Sequence, residues 1–178
     1  MRVFGDGFEV LAERRVGELA IRSDCMLTEY FHRPDLTARA FHGGWYLTGD
    51  YGYLSDGEVF VTGRKKDLII VGGNNLYPQD LEFIADGVEG VHPGRTVAFG
   101  VENEEAGTEE VVVLFELDGP ADAGGARNVE DDVRRAIARQ SDCVARTVAA
   151  LPPMWLVKTS SGKISRTRCR EKFLKEFK

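Results

Sequence analysis

The sequence predicts an α+β fold in two parts, a β-rich N-terminal piece followed by a small α+β domain with a short sheet and about three helices. Residues 16–22 alternate between apolar and polar, as in a half-buried strand. After residue 67, short apolar runs alternate with segments of helical period, which is typical of a compact α+β unit. The charged residues 64–67 lie between these two patterns and mark the expected boundary.

The clearest element of the first part is a β-hairpin over residues 45–62. Asp56 and Gly57 lie between two apolar-rich runs, residues 53–55 and 58–61. A two-residue Asp-Gly turn supplies the positive φ angles that a tight hairpin needs. Residues 1–63 are therefore predicted to be rich in β-structure.

The second part begins with residues 68–71, a short apolar run that predicts a buried strand. Residues 72–75, Gly-Gly-Asn-Asn, predict a loop, and Pro78 favours the start of a helix because its missing N–H group is harmless there. The apolar face of this helix is spaced at i, i+3, i+4 and i+7 and comprises Leu81, Ile84, Ala85 and Val88.

The remaining elements follow from the same signals. Asn128 is predicted to cap a helix after a loop at residues 118–127. The apolar face of that helix comprises Val129, Val133, Ile137 and Val144. Strands are predicted at 96–101, 111–117 and 146–151, and a basic amphipathic helix at about 165–177.

Composition excludes several classes of protein. The chain is 43% apolar and 29% charged, and it contains no apolar run of the roughly 20 residues that a membrane helix needs. The first residues carry no signal-peptide pattern, so a cytoplasmic protein is expected. Three scattered cysteines and three histidines show no ligand spacing, so we predict no metal site and reduced thiols.

Charge is distributed unevenly along the chain. The net charge is −6, yet residues 157–178 alone carry eight Lys or Arg against two Glu, a net +6. Such a tail suits either nucleic acid or a phosphate ligand beside a solvated helix. Since the body is acidic and the tail has only two aromatic residues, we do not expect a nucleic-acid partner.

A lysine stands on a small, flexible segment near the end of the chain. Residues 159–166 read Thr-Ser-Ser-Gly-Lys-Ile-Ser-Arg, with Lys163 after the glycine. Small residues let a backbone approach a ligand closely, and an ammonium suits an oxyanion or a phosphate. The alternative is a solvated lysine on a connecting loop.

Four motifs in order resemble those of the adenylate-forming enzymes, the superfamily of acyl-CoA synthetases, fatty acyl-AMP ligases, peptide-synthetase adenylation domains and luciferase. They are YLTGD at residues 46–50, GR at 63–64, GGNNLYPQDLE at 72–82 and SGK at 161–163. The segment GELAI at 17–21 also resembles the family. The details of residues 77–82 and 99–109 look most like fatty acyl-AMP ligases.

The resemblance implies site residues in this sequence. Asp50 would accept hydrogen bonds from the ribose hydroxyls of the adenylate, and Arg64 would reach the ribose or the phosphate. Their structural alternatives are a turn-capping aspartate and a surface salt bridge. Lys66 would be the hinge. The alternative is an exposed loop lysine, and the two interpretations differ mostly in the dynamics that they imply.

The same resemblance makes Lys163 the catalytic lysine of the adenylation half-reaction. Gly72, Gly73 and Asn74 would line the channel for the thiol acceptor, where a pantetheine arm must pass close to the backbone. No metal ligand is predicted in this chain.

The resemblance further divides the chain at residues 1–64, the end of a large adenylation domain, and 65–178, a small mobile domain. The implied reaction uses ATP, with Mg²⁺, to convert a carboxylic acid, often fatty, into an acyl-AMP. The implied partners are that large domain and either an acyl carrier protein or CoA. No residue matches the family's phosphate loop, so we expect the 178 residues alone neither to bind nucleotide tightly nor to make acyl-AMP.

Two functions from different classes stay open. The chain is either the C-terminal portion of an AMP-forming acid ligase or a non-catalytic module that docks a carrier protein or a separate large-domain partner. Asp50 and Lys163 favour catalytic ancestry. The acid itself, the choice between CoA and carrier protein, and the oligomeric state are not predicted.

Overall fold

Two compact units, Met1–Lys66 and Asp67–Lys178, make up the computed structural model, which describes residues 1–120 and 123–177. The boundary expected between 64 and 65 thus falls slightly N-terminal of the structural division. Lys65 belongs with the first unit because its ammonium donates a 2.8 Å hydrogen bond to Glu18. That these units are the end of a large domain and a mobile small domain stays a prediction.

The first unit is an antiparallel sheet with one short helix. Its elements are β1 (Arg2–Phe4), β2 (Gly17–Ile21), α1 (Pro34–Ala40), β3 (Phe41–His42), β4 (Trp45–Ser55) and β5 (Glu58–Arg64). The strands lie in the order β1-β2-β4-β3, and β5 also pairs with β4. The sequence analysis did not identify α1, which begins at a proline in the position that best tolerates one.

The predicted hairpin is confirmed as β4 and β5. Ser55 pairs with Glu58, and the turn between them has φ angles of 54° at Asp56 and 83° at Gly57. Both angles are positive, as a two-residue hairpin turn requires. Apolar side chains of β5 are exposed to solvent, and Val61 is 64% exposed.

The second unit contains two sheets and three helices. Its elements are β6 (Ile69–Val71), β7 (Asn74–Leu76), α2 (Pro78–Asp86), β8 (Val91–Asn103), β9 (Thr108–Leu117), α3 (Ala123–Gln140), β10 (Thr147–Leu151) and α4 (Arg166–Phe177). β8 and β9 are antiparallel, β9 and β10 are parallel, and in the described part of the chain β6 pairs only with β7.

Strand β9 separates two hydrophobic cores. Successive residues of a strand point to opposite faces of the sheet. Val113 and Phe115 accordingly belong to the cluster that includes Leu81 of α2 and Ile137 of α3. Leu114 belongs to the other cluster, which includes Phe173 of α4. The unit is thus a sheet covered by helices on both faces, which explains the nearly continuous apolar run of β9.

Three local predictions were wrong. The helix α3 begins at Ala123, so Asn128 lies inside it rather than at its cap, while residues 121 and 122 lie outside the described part of the chain. Glycine disfavours helix by about 1 kcal/mol, which made this segment look like a loop. Val129, half-buried against the core, supplies the tertiary packing that outweighs this propensity. Val144 lies beyond the helix and is 75% exposed.

The third wrong prediction concerns residues 72–75, where a loop was expected. Val71 pairs with Asn74, so Gly72 and Gly73 alone form a two-residue hairpin turn. Their φ angles are 56° and 84°, in the left-handed region that favours glycine. The glycine pair therefore ends β6 in a tight turn, and Asn74 and Asn75 belong to the next strand, β7, rather than to a loop.

Candidate functional site

Asp50 and Arg64 form a cross-strand ion pair in the first unit. They lie directly opposite each other on β4 and β5, and Arg64 Nε lies 3.1 Å from Asp50 Oδ1. The amide of Asp50 donates to Thr48 Oγ1, and that hydroxyl donates to the Leu19 carbonyl on β2. The carboxylate is therefore held at the end of a braced segment while 30% of its side chain remains exposed to solvent.

Two tyrosines extend this polar patch. The hydroxyl groups of Tyr30 and Tyr46 lie 3.1 Å apart. The pKa of Tyr46 is raised by that hydrogen bond first and by burial second, with Asp50 adding to the rise and Arg64 opposing it. Tyr30 lies in a segment that resembles the family, but the sequence assigned it no role, because nothing in a linear pattern places it beside residue 46.

Of the residues around the expected hinge, Lys65 is hydrogen-bonded within the first unit and Lys66 is exposed. Lys65 Nζ donates to Glu18 Oε2, and Glu18 is one of the few buried charged residues, 8% exposed. The hydrogen bond to Glu18 raises the pKa of Lys65 against a smaller opposing effect of burial. Lys66, the next residue, is exposed within a single turn of 3₁₀-helix.

Lys163 lies at an exposed turn in the second unit. The turn is closed by its own backbone, since Thr159 N donates to the Lys163 carbonyl at 2.8 Å and Gly162 N donates to the Thr159 carbonyl at 2.9 Å. Gly162 has a φ of 83°, which a side chain would strain. Within the described residues, no hydrogen bond or ion pair engages the Lys163 ammonium, so its charge is available to a ligand.

An ionic cluster lies at the base of this turn. Arg166 donates through Nε and Nη2 to the two carboxylate oxygens of Glu82, at 2.9 and 2.6 Å, and through Nη1 to Asp67 at 3.1 Å. Burial by itself would lower the pKa of Arg166, but the hydrogen bond and charge of Glu82, together with Asp67, raise it. Lys163 and Arg166 both line a cleft of about 410 Å³.

The glycine hairpin is held by the start of β9. Thr108 Oγ1 accepts a 2.8 Å hydrogen bond from Gly72 N and donates to the Ile70 carbonyl at 3.0 Å. Glu109 Oε2 accepts from Ile70 N at 2.7 Å. Gly72 and Gly73 line a second cleft, of about 790 Å³, which shares no lining residue with the cleft at Lys163.

The structure thus brings Asp50 and Arg64 together and places Gly72, Gly73 and Lys163 at two separate clefts of the other unit. Sequence reasoning quoted Glu82, Thr108, Glu109 and Arg166 within motifs but assigned them no role. In the sequence, the one indication of a role for these four residues is that they are polar and lie near the motif glycines or Lys163. Over residues 1–120 and 123–177, no group of three or more side chains suited to a metal ion occurs, and no helix has both the length and the apolar character to cross a bilayer.

Comparison with known proteins relates the whole chain to one family of sequences. No family model matches the chain. It is 38% identical over 98% of its length to a putative acyl-CoA synthetase of Caulobacter vibrioides. It is 36% identical over 90% of its length to the medium-chain-fatty-acid–acyl-carrier-protein ligase JamA of Moorena producens. The chain spans about 30% of the length of these relatives.

Solved structures with the same fold belong to related enzymes. A fatty acyl-adenylate ligase structure, from work on the E. coli and L. pneumophila enzymes, has a TM-score of 0.84 and 31% identity, covering 99% of this chain and 30% of that one. ATP-bound MatB from Rhodopseudomonas palustris has a TM-score of 0.82 and 25% identity, covering 99% of this chain and 34% of that one. The chain therefore belongs to the adenylate-forming enzymes of the acyl-CoA synthetase and fatty acyl-AMP ligase type, and it corresponds to their C-terminal portion.

Proposed function

We propose that the chain serves an AMP-forming carboxylic acid ligase that activates a fatty acid with ATP and passes the acyl group to a thiol. The first step gives acyl-AMP and pyrophosphate, and the second releases AMP. The observation that carries this proposal is the placing of Lys163 and the glycine hairpin at two separate clefts of one unit. Two surfaces used in turn suit a reaction with two chemically different steps.

Lys163 acts in the first step. Negative charge gathers at the α-phosphorus as the carboxylate attacks, and an ammonium between the two reactants orients them and offsets that charge. The exposed, unengaged position of Lys163 supports this role, because its ammonium need not break an existing contact to reach a ligand.

Asp50 and Arg64 bind the nucleotide. A ribose diol needs a hydrogen-bond acceptor, and the Asp50 carboxylate offers two oxygens. Arg64 contacts Oδ1 of this carboxylate. Arg64, with 58% of its side chain exposed, is free to turn toward a phosphate when one is bound. The MatB structure, which contains ATP, supports nucleotide binding in the family.

Gly72, Gly73 and Asn74 line the path of the thiol acceptor, and Lys66 is the hinge that changes which cleft is used. All four residues are exposed. At Gly72 and Gly73 no heavy atom beyond the adjacent residues lies within 4 Å of the position that a Cβ would take, so a slender pantetheine arm meets open space there. JamA, an acyl-carrier-protein ligase by name, supports a carrier-protein acceptor, with CoA as the other thiol.

Mg²⁺ accompanies ATP in the reaction that the family implies. The described residues of this chain contain no cluster that fits a metal ion. We therefore assign no step of the reaction to a metal held by this chain.

The decisive experiment replaces Lys163 in an enzyme completed with a large adenylation domain. Lys163→Ala should slow adenylation roughly a hundred- to thousandfold, the effect of losing about 3–4 kcal/mol of transition-state stabilisation. Transfer from pre-formed acyl-AMP to the thiol should change little. Equal slowing of both half-reactions would contradict the assignment, and no adenylation by the unsubstituted enzyme would favour the non-catalytic docking module.

The complementary variant is Gly73→Phe, which should spare adenylation and block transfer. Because Gly73 has a positive φ, any side chain there strains the backbone. Gly73→Ala is the matched control, since it carries the same strain without the bulk. Transfer should therefore survive in Gly73→Ala and fail in Gly73→Phe.

A further inference from the structure

Arg166 is an unusual residue to find at the start of a helix. It is the first residue of α4, where the positive end of the helix dipole disfavours a cation. Ser165, just before it, already serves the helix start, because its carbonyl accepts a hydrogen bond from Cys169 N and its hydroxyl accepts one from Arg168 N. The needs of the helix therefore do not explain the guanidinium, whose side chain is only 27% exposed.

The guanidinium instead ties together three segments of the second unit. Its paired hydrogen bonds to Glu82 join the start of α4 to α2. Glu82 Oε1 also accepts a 3.0 Å hydrogen bond from Ala98 N, which fixes the carboxylate to β8. The third hydrogen bond reaches Asp67, the first residue of the unit. Paired, charge-assisted bonds of this kind define both distance and orientation.

The backbone hydrogen bonds of the lysine turn fix its shape but do not connect it to α2. The hydrogen bonds of Thr159 N, Gly162 N and Ser165 N all end on carbonyls within residues 157–163. Outside this ring of hydrogen bonds, Val157 and Ile164 pack against the core that includes Phe173, and Val157 N donates to Cys169 Sγ at 3.3 Å, but these contacts reach neither α2 nor Asp67. Arg166 follows the turn directly, and its bonds to α2 hold the C-terminal stem of the turn against the rest of the unit.

We propose that Arg166 is a positioning residue for Lys163 and that, through Asp67, it joins the lysine turn to the residue directly after the hinge. This inference rests on the proposed function. Rotation at Lys66 would then move Lys163 together with Asp67, because the Arg166 guanidinium binds Asp67 and directly follows the lysine turn. A displacement of the ammonium by about 1 Å is enough to cost roughly a hundredfold in rate.

The first test uses the 178-residue chain and is independent of catalysis. Hydrogen–deuterium exchange at residues 158–165 and 67–70 is compared in Arg166→Gln and Arg168→Gln. Arg168 is the matched control, since it is exposed on the same turn of α4. Arg166→Gln should speed exchange in both segments several-fold, and Arg168→Gln should match the unsubstituted chain. Unchanged exchange in Arg166→Gln overturns the proposal.

The second test uses the completed enzyme and separates the two half-reactions. Arg166→Gln should lower kcat for adenylation by roughly a hundredfold, leave KM for ATP within about twofold, and leave thiol transfer within about threefold. Arg166→Lys, which can reach one carboxylate but not both, should recover part of the adenylation rate. Arg168→Gln should behave like the unsubstituted enzyme.

The outcomes distinguish this inference from the proposed function. If the unsubstituted enzyme adenylates and Lys163→Ala does not, while Arg166→Gln is fully active, only the positioning role is wrong. Equal loss of both half-reactions in Arg166→Gln, in proportion to a lower Tm, would show a purely structural residue and also overturn the proposal. If the unsubstituted enzyme forms no adenylate, the proposed function fails and the exchange experiment alone decides whether Arg166 holds the turn.

Discussion

At the scale of single residues, the most informative contacts are the ion pairs made by the two residues on either side of Lys66. Lys65 is bound to Glu18 in the first unit, and Asp67 is bound to Arg166 in the second. Lys66, between them, is exposed, and within residues 1–120 and 123–177 its ammonium makes no hydrogen bond or ion pair. Two anchored neighbours leave one residue to absorb a change in backbone angles, which is the property expected of a hinge.

Glu18→Gln should remove the anchor on the first side. We expect a loss of about 1 kcal/mol in the local stability of β2, because Glu18 is buried whereas half of the Lys65 side chain reaches water. The pKa of Lys65 is raised in the fold, so its contribution is complete below the unfolded pKa and disappears as pH rises through the folded value. The difference between the variant and the parent chain should therefore persist from pH 7 to 9 and shrink above about pH 10.4.

Hydrogen exchange of the β2 amides measures this effect. Asp56→Asn is the control, since it breaks the exposed pair between Arg14 and Asp56, whose side chains are 71% and 79% accessible. It should change little at any pH. A pH-independent loss in Glu18→Gln would mean that shape, rather than charge, holds Lys65.

At the scale of elements, the glycine hairpin depends on a neighbouring strand. Among residues 1–120 and 123–177, β6 and β7 have only each other as sheet partners, and an isolated two-stranded hairpin is marginal in water. Thr108 and Glu109 supply the additional hydrogen bonds to Ile70 and Gly72. The position of the proposed thiol channel is therefore decided on β9 as much as within the hairpin itself.

Thr108→Val should loosen the hairpin while keeping the shape of the side chain. The loss of two hydrogen bonds should cost about 1–2 kcal/mol locally, because water replaces part of them at this exposed site. Exchange of the amides of residues 70–76 measures the effect, and Thr108→Ser, which retains the hydroxyl, is the matched control. The same exchange rates in both variants would contradict the role given to the hydroxyl.

At the scale of the whole molecule, the two units differ in how well each covers its own apolar residues. Both large hydrophobic clusters lie within Asp67–Lys178. The first unit exposes several large apolar side chains, among them Phe31 at 84% and Val61 at 64%. A unit that buries its own core is expected to fold by itself, whereas exposed apolar surface favours association.

Residues 67–178, expressed alone, should therefore melt in one cooperative transition. The expected unfolding enthalpy is about 80 kcal/mol, from ~0.7 kcal/mol per residue. Calorimetry measures it, and agreement between the calorimetric and van't Hoff enthalpies checks that a single unit unfolds. A broad, non-cooperative melt would show that the second unit needs the first.

The sequence by itself determined the class of fold, the Asp-Gly hairpin and the family, because each depends on local spacing. Alternation in β2, the turn residues Asp56 and Gly57, and the ordered motifs around Asp50, Gly72 and Lys163 are all properties of neighbouring residues. The start of α3 could not be found in this way, since packing of Val129 against a distant core outweighed the local glycines.

Only the tertiary structure decided which charges meet. Arg166 lies 84 residues from Glu82 and 99 from Asp67, and Lys65 lies 47 from Glu18. No periodicity spans such distances, and the residue type alone does not distinguish an arginine bound to two carboxylates from one exposed to solvent. The pairing of Asp50 with Arg64 and the separation of the two clefts likewise exist only once the strands are in register, because hydrogen bonds between strands, not sequence neighbours, bring those side chains together.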